Sequence, residues 1–159
     1  AVPNEPGRVT VAASLVMHAA VQKSPTAVRH PRPGLTHDNR FFWDGIAAGQ
    51  LLIQRCAGCR RLQHPPAPMC PSCHGFDMEA VAASGRGVIH SFVVAHHPPL
   101  PPFGYPNVIV LVELAEGTRL VSRLVGVEPD DVRIGMAVQV DFETVEGDLA
   151  LHFFPPVSA

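Results

Sequence analysis

Four cysteines carry the clearest chemistry in this chain. They fall within eighteen residues as two pairs, Cys56-Ala-Gly-Cys59 and Cys70-Pro-Ser-Cys73, with ten residues between. A tetrahedral cation takes four thiolates, and each CxxC turn presents two of them at a suitable separation. The spacing predicts a metal held by Cys56, Cys59, Cys70 and Cys73, with Gly58 and Gly75 easing the two turns. Zinc is the expected ion for a structural ribbon, while iron in a rubredoxin-like site uses the same ligands. Four protein ligands leave no open coordination position, so the expected role is structural rather than catalytic. Two disulfides are the competing reading. A bridge within a CxxC is strained and more often redox-active, which argues against it. A thioredoxin-like role lacks the surrounding βαβ unit. His64 and His74 lie close by and are read as surface residues or as supports behind the ligands.

No other catalytic pattern stands out. The chain has no GxSxG, HExxH, GxxxxGK[ST] or GxGxxG. Its nine histidines include the pair His96-His97, which opens the segment HHPPLPPFGYPN. Five prolines make this segment stiff and unable to pair into a sheet. It reads as a pre-ordered arm for a partner or ligand channel, or as an ordinary long loop capped by Phe103 and Tyr105. His96 as a general base is the weaker idea, because no acid or nucleophile accompanies it.

These residues must be positioned by the elements around them. Residues 36–50, THDNRFFWDGIAAGQ, have Thr36 or Asp38 as a helix N-cap and Gly49 as a stop. Phe42 and Ile46 fall at helical spacing. Residues 51–55 form a short strand into the first cysteine. Three β-branched runs follow, at 88–95, 108–114 and 119–125. Glu128-Pro-Asp-Asp131 and Gly135 then spell one short helix, with proline at its start and acids in its first turn. Met136, Val138, Val140 and Phe142 alternate with polar neighbours as a half-buried strand, and residues 149–154 form the last one. Three strands, a short helix and two strands is the arrangement of an OB-fold, a five-stranded Greek-key barrel. Strand counting alone leaves another small antiparallel barrel or sandwich open. The predicted fold class is mostly β: an N-terminal helix (36–50), a rubredoxin-like zinc ribbon (51–83) and a C-terminal OB-fold (84–159).

Residues 1–35 stand apart. The chain opens at Ala1 without an initiator Met, and residues 1–35 are read as a linker or the tail of an upstream domain. The run VTVAASLVMHAA after Arg8 faintly resembles a secretory segment. Thr10, Ser14 and His18 interrupt it, and the cysteine pattern suits a reducing compartment, so the expected location is cytoplasmic. Residues 23–33 hold three prolines and read as a linker.

With 159 residues and 47% apolar composition, the chain can bury a real core, and disorder is excluded as the default. The longest aliphatic run, residues 108–112, is far too short to cross a membrane as a helix. The net charge of −2 excludes a strongly basic nucleic-acid binder. That charge is unevenly placed: residues 1–83 carry +3 and residues 84–159 carry −5. An OB-fold that binds nucleic acid needs a basic groove and exposed aromatics. The acidic barrel argues against that role, which stays only as a minority reading.

The segment FFWDGIAAGQLLIQRCAGCRRLQHPPAPMCPSCHG, then SGRGVIHSFVVAHHPP, then VGVEPDDVRIGMAVQVDFE together resemble the domain-of-unknown-function-thirty-five family. The resemblance covers about residues 36–155. It implies an acyl-CoA-associated protein with an N-terminal helix, a zinc ribbon and an OB-fold. It also implies a thiolase-like or lipid-transfer-protein-like partner enzyme, which would meet the acyl-CoA substrate within the complex. Some members are fused behind a MaoC-like hydratase domain in steroid side-chain degradation. Only the metal role carries over residue by residue, onto the four cysteines.

The expected function is therefore a non-catalytic accessory subunit of a thiolase-like acyl-CoA enzyme, a retro-aldolase cleaving the side chain of a steroid-CoA thioester. One alternative is an acyl-CoA-binding module that hands substrate from a hydratase to its partner. The other is a nucleic-acid-binding zinc-ribbon and OB protein. The expected contact residues are Phe41, Phe42 and Trp43 on the helix and His96, His97, Leu100, Phe103 and Tyr105 in the proline-rich loop. No catalytic residue is expected.

Overall fold

A computed structural model describes residues 29–157. The proposed tail before residue 29 lies outside the described residues. Residues 29–35 run without regular structure along the turn at 146–148. The His30 backbone N–H and Nδ1 both reach Glu146 Oε1, at 2.7 and 2.9 Å, and Arg32 reaches Asp148 at 2.6 Å.

The helix expected over 36–50 is shorter, α1 (Arg40–Ala47). Thr36 does not cap it. Instead Thr36 and Asn39 bond each other's backbone N–H through their side chains, a local turn that delays the helix start. Gly49 ends the helix at φ +70°, as its position predicts. Phe42 and Ile46, one helical turn apart, are buried on the same face. The other side of the turn needs Gly45: a Cβ there would sit 2.8 Å from Leu52 Cγ and 2.9 Å from the Gln50 carbonyl oxygen.

The ribbon is a three-stranded antiparallel sheet in the order β2-β1-β3, formed by β1 (Leu52–Cys56), β2 (Leu62–Gln63) and β3 (Met78–Ala82). Its register sets Gln54 opposite Gln63 and Cys56 opposite Met78.

The barrel contains β4 (Arg86–Ala95), β5 (Asn107–Leu114), β6 (Arg119–Leu124), β7 (Ala137–Gln139), β8 (Asp141–Val145) and β9 (Leu149–Phe154), in the order β7-β4-β5-β6-β9-β8. The two ends of that order are consecutive in the chain. The strand read from the alternation at 136–143 bends at Val140, so that its first half pairs with β4 and its second half with β9. Val138 is buried, and Val140 and Phe142 pack on the core, so the apolar alternation continues through the bend. The sheet thus curls back on itself, and β6 pairs with β9 in parallel. This is a mostly β chain with an OB-fold.

Two local details differ from expectation. The helix expected after Glu128 is a single 3₁₀ turn at Pro129–Asp131. Val132 follows in extended conformation and drops into the core, which ends the turn after three residues. In β4 the pairing with β5 shifts between Ile89 and Ser91, a bulge at His90. The bulge lets both Ile89 and Phe92 point inward.

Candidate functional site

β1 delivers Cys56 into the first cysteine turn. There the Arg60 N–H donates to the Cys56 carbonyl oxygen at 2.9 Å, and in the second turn the His74 N–H donates to that of Cys70, also at 2.9 Å. The residues that take left-handed backbone in these turns are Arg60, at φ +65°, and His74, at φ +58°. Gly58 and Gly75, expected to ease the turns, have no such conformation. They leave room beside the sulfurs: a Cβ would lie 3.8 Å from Cys56 Sγ at Gly58 and 3.5 Å from Cys73 Sγ at Gly75.

All four cysteines are free thiols, Cys56 and Cys70 buried and Cys59 and Cys73 exposed. The four sulfurs lie within 4.8 Å of one another. Cys56 and Cys73 lie 3.5 Å apart, and so do Cys59 and Cys70. Both pairs cross from one turn to the other, which is not the pairing of CxxC disulfides. A tetrahedron of thiolates about 2.3 Å from a metal has edges of about 3.8 Å, close to this spacing. The thiols also differ in acidity. Backbone N–H groups of Cys73 and Ser72 pull the Cys70 thiol down to about 6. At Cys59 the Arg61 backbone N–H acts the same way, but the other three sulfurs and burial outweigh it and raise the thiol to about 11. A cation among the four sulfurs removes that conflict. The cluster fits a structural metal ion held by Cys56, Cys59, Cys70 and Cys73, which cross-links the two turns.

The segment between the turns is braced from within. Gln63 Nε2 donates to Gln54 Oε1 at 2.6 Å, and the Ala67 N–H donates to the same oxygen at 2.8 Å. Both glutamines are buried.

Sequence reading missed a joint between the three parts of the chain. His64 from the ribbon and His152 from β9 both pack on Phe42 of α1, with ring centroids 4.8 and 5.5 Å away. His64 is therefore no surface residue, while His74 is exposed. Burial, with His152 adding to it, pushes the His64 imidazole down to about 4, and burial also lowers His152. His152 is the one titratable residue in the run at 149–154, LALHFF, and that is the signal that could have marked it.

The expected contact residues separate into two groups. Phe42 is 3% exposed and belongs to the core, so it has no face left for a partner. Phe41 and Trp43 are half-buried. Trp43 borders a cavity of about 370 Å³ with Thr36, Asp38, Val121 and His152. His96, His97 and Leu100 are exposed in the loop. Phe103 is half-buried and edge-on to His30, with centroids 5.6 Å apart. Phe103 and Tyr105 line a groove of about 390 Å³ with Arg123 and Glu128. The helix and loop residues border separate cavities.

Two family models match this arrangement. The ChsH2 rubredoxin-like zinc ribbon domain covers residues 43–79, and the ChsH2 C-terminal OB-fold domain covers residues 80–143. This chain belongs to the DUF35 family. A "DUF35 domain-containing scaffold protein" of Methanocaldococcus jannaschii is 33% identical over 67% of this chain and 77% of its own length. The "probable enoyl-CoA hydratase alpha subunit" of Thermomonospora curvata is 48% identical over 85% of this chain and 42% of its own length. The "3-oxo-4,17-pregnadiene-20-carboxyl-CoA hydratase alpha subunit" of Mycobacterium tuberculosis is 44% identical over 70% of this chain and 35% of its own. This DUF35 chain thus spans about two fifths or less of the length of those hydratase relatives. Among solved structures, a chain of the "Ltp2-ChsH2(DUF35) aldolase" superposes with a TM-score of 0.75 at 49% identity, covering 79% of this chain and 98% of that one.

Proposed function

We propose that this chain is a non-catalytic accessory subunit of a thiolase-like acyl-CoA enzyme, a retro-aldolase that shortens the side chain of a steroid-CoA thioester. The observation that carries this reading is the likeness to the aldolase subunit, which extends over nearly the whole of that subunit. The described residues agree with an accessory role. Four thiolates fill a tetrahedral coordination sphere and leave the metal cluster no position for a substrate or water. The metal is zinc, one ion per chain, and the protein works in the cytoplasm. Trp43 with Phe41, and His96, His97, Leu100 and Tyr105 in the loop, are the proposed contacts with the partner, and Phe103 supports the loop from behind against His30.

A second reading draws on the hydratase relatives. Residues 1–35 would then link an upstream MaoC-like hydratase domain, and the chain would hold that hydratase beside the aldolase so that acyl-CoA passes between them. Co-expression with the thiolase-fold protein of the same organism tests the primary reading. A stable complex is expected, with cleavage of the steroid-CoA substrate only when both proteins are present. Full cleavage by the thiolase-fold protein alone would refute it. Steady turnover by this chain alone would do the same.

A further inference from the structure

The outer surface of the barrel is aliphatic where β4, β5, β6 and β9 run side by side. In β5, the buried residues Val108, Val110, Val112 and Leu114 alternate with half-buried Ile109 and Leu111, which therefore face outward. The register extends that face. Val93 and Arg123 flank Ile109, Val121 lies beside Leu111, and Phe153 lies beside Arg123. Val93 is 61% exposed and Val121 60%. None of these side chains packs into the core cluster. The Arg123 guanidinium sits 5.4 Å over the Phe153 ring and pairs with Glu143, while its buried Nε has no partner among the described residues.

An antiparallel sheet with one solvated face ordinarily carries polar side chains there. In an OB-fold the second and third strands, here β5 and β6, form the usual ligand face. Nucleic-acid binders place aromatics and cations on it. Ile109, Leu111 and Val121 cannot stack a base or pair with a phosphate, and they suit the dry centre of a protein interface.

We propose that this face, centred on Val93, Ile109, Leu111, Val121 and Phe153, is where the thiolase-fold partner docks. The inference rests on the accessory-subunit reading and adds the surface to it. Two observations select that occupant. The similar subunit is matched over 98% of its length and belongs to an aldolase described by two protein names, so a surface for an unlike partner belongs to the shared fold. The face also joins the two groups of proposed contacts: Val121 shares a cavity with Trp43, and Arg123 shares a groove with Tyr105.

The test is an affinity measurement with the thiolase-fold protein of the same organism. Val93→Asp with Val121→Asp is expected to weaken binding about 100-fold, whereas Phe76→Asp on the ribbon is expected to leave it unchanged. Melting curves report whether the aspartate pair folds. Val93→Thr with Val121→Thr keeps the β-branched shape and is expected to weaken binding about tenfold. Unchanged affinity in the folded valine variants overturns this surface and leaves the accessory reading intact. No binding by the unsubstituted chain overturns the accessory reading and the surface with it. Self-association of the chain alone that the valine substitutions abolish assigns the face to a second copy and overturns the proposed occupant.

Discussion

His64 and His152 approach the ring of Phe42 from two different domains, at centroid distances of 4.8 and 5.5 Å. In each imidazole, Nδ1 is buried with no partner among the described residues. The joint between helix, ribbon and barrel is thus built from aromatic contact and neutral imidazole, and a proton on either ring would put an unpaired charge inside it.

The first prediction follows from that joint. His64 titrates near 6.5 when unfolded and near 4 when folded, because burial and His152 oppose its charge. Above pH 6.5 both states are neutral, and the folded state has its full stability. As pH falls toward 4, the unfolded chain takes up the proton first, so stability drops, and the drop levels off below about pH 4. The shift corresponds to roughly 3 kcal/mol. Carboxylates such as Glu79 and Glu146, held low by Arg55 and by His30, add their own losses only at more acid pH. Melting temperature should decline from pH 7 to pH 5 in the unsubstituted chain and much less in His64→Phe. A decline of equal slope in both would remove His64 from the account.

The second prediction concerns the metal. The four sulfurs join the two cysteine turns side chain to side chain, beside the β1–β3 pairing and the Ala57 N–H bond to the Asp77 carbonyl oxygen at 2.9 Å. Structural zinc sites bind with apparent energies on the order of 10 kcal/mol. Purified protein should contain one zinc per chain by elemental analysis. Strong chelation, or Cys59→Ser, should release it and unfold the ribbon while the barrel keeps its β signal in circular dichroism. A chelated chain with no change in melting or in thiol accessibility would exclude a structural metal.

The third prediction tests the packing of the barrel. Gly87 sits where β4 crosses close to β5, and a Cβ there would lie 2.5 Å from the Glu113 carbonyl oxygen and 2.7 Å from Val112 Cγ1. Backbone on one side and a buried valine on the other leave little room to yield. Gly87→Ala should cost about 2 kcal/mol or more in denaturant unfolding. Gly104→Ala, with nothing within 4 Å, should be near neutral. Equal stabilities would show that β4 can shift outward at no energetic expense.

The sequence made the metal cluster and the strand order legible because both are local signals. CxxC spacing is read within a few residues, and the alternation from Met136 to Phe142 survives the bend at Val140 because Val138 and Phe142 stay on the inner side throughout. The bend itself is a tertiary event, decided by which neighbour each half meets, and no local signal announces it. The same holds for the joint. Phe42 at helical spacing from Ile46 reads as apolar and pinned, but whether it is pinned by a partner or by this chain depends on His64 and His152, which only the fold brings to it. The outward aliphatic face was hidden for another reason. Val93, Ile109, Leu111 and Val121 lie in β-branched runs that read as core, and only register separates the inner set from the outer.

The last prediction concerns the loop between β4 and β5. Its prolines restrict the backbone before any partner arrives, so docking it loses less conformational entropy than docking a flexible segment. The structure now distinguishes its apolar residues. Leu100 is 56% exposed, whereas Phe103 is half-buried against the His30 ring. His30 in turn is held by Glu146 on the β8–β9 turn. Phe103 thus serves the fold by tying the loop to the segment at 29–35, and Leu100 is the residue free to anchor a partner. Leu100→Asp should weaken complex formation about tenfold or more at unchanged melting temperature. Phe103→Ala should lower protection of the loop backbone in hydrogen exchange and weaken the complex only in proportion to that loss of order. If Leu100→Asp binds with full affinity while Phe103→Ala abolishes the complex without loosening the loop, the two roles are reversed: Phe103 is then the anchor, and its contact with His30 must open on docking.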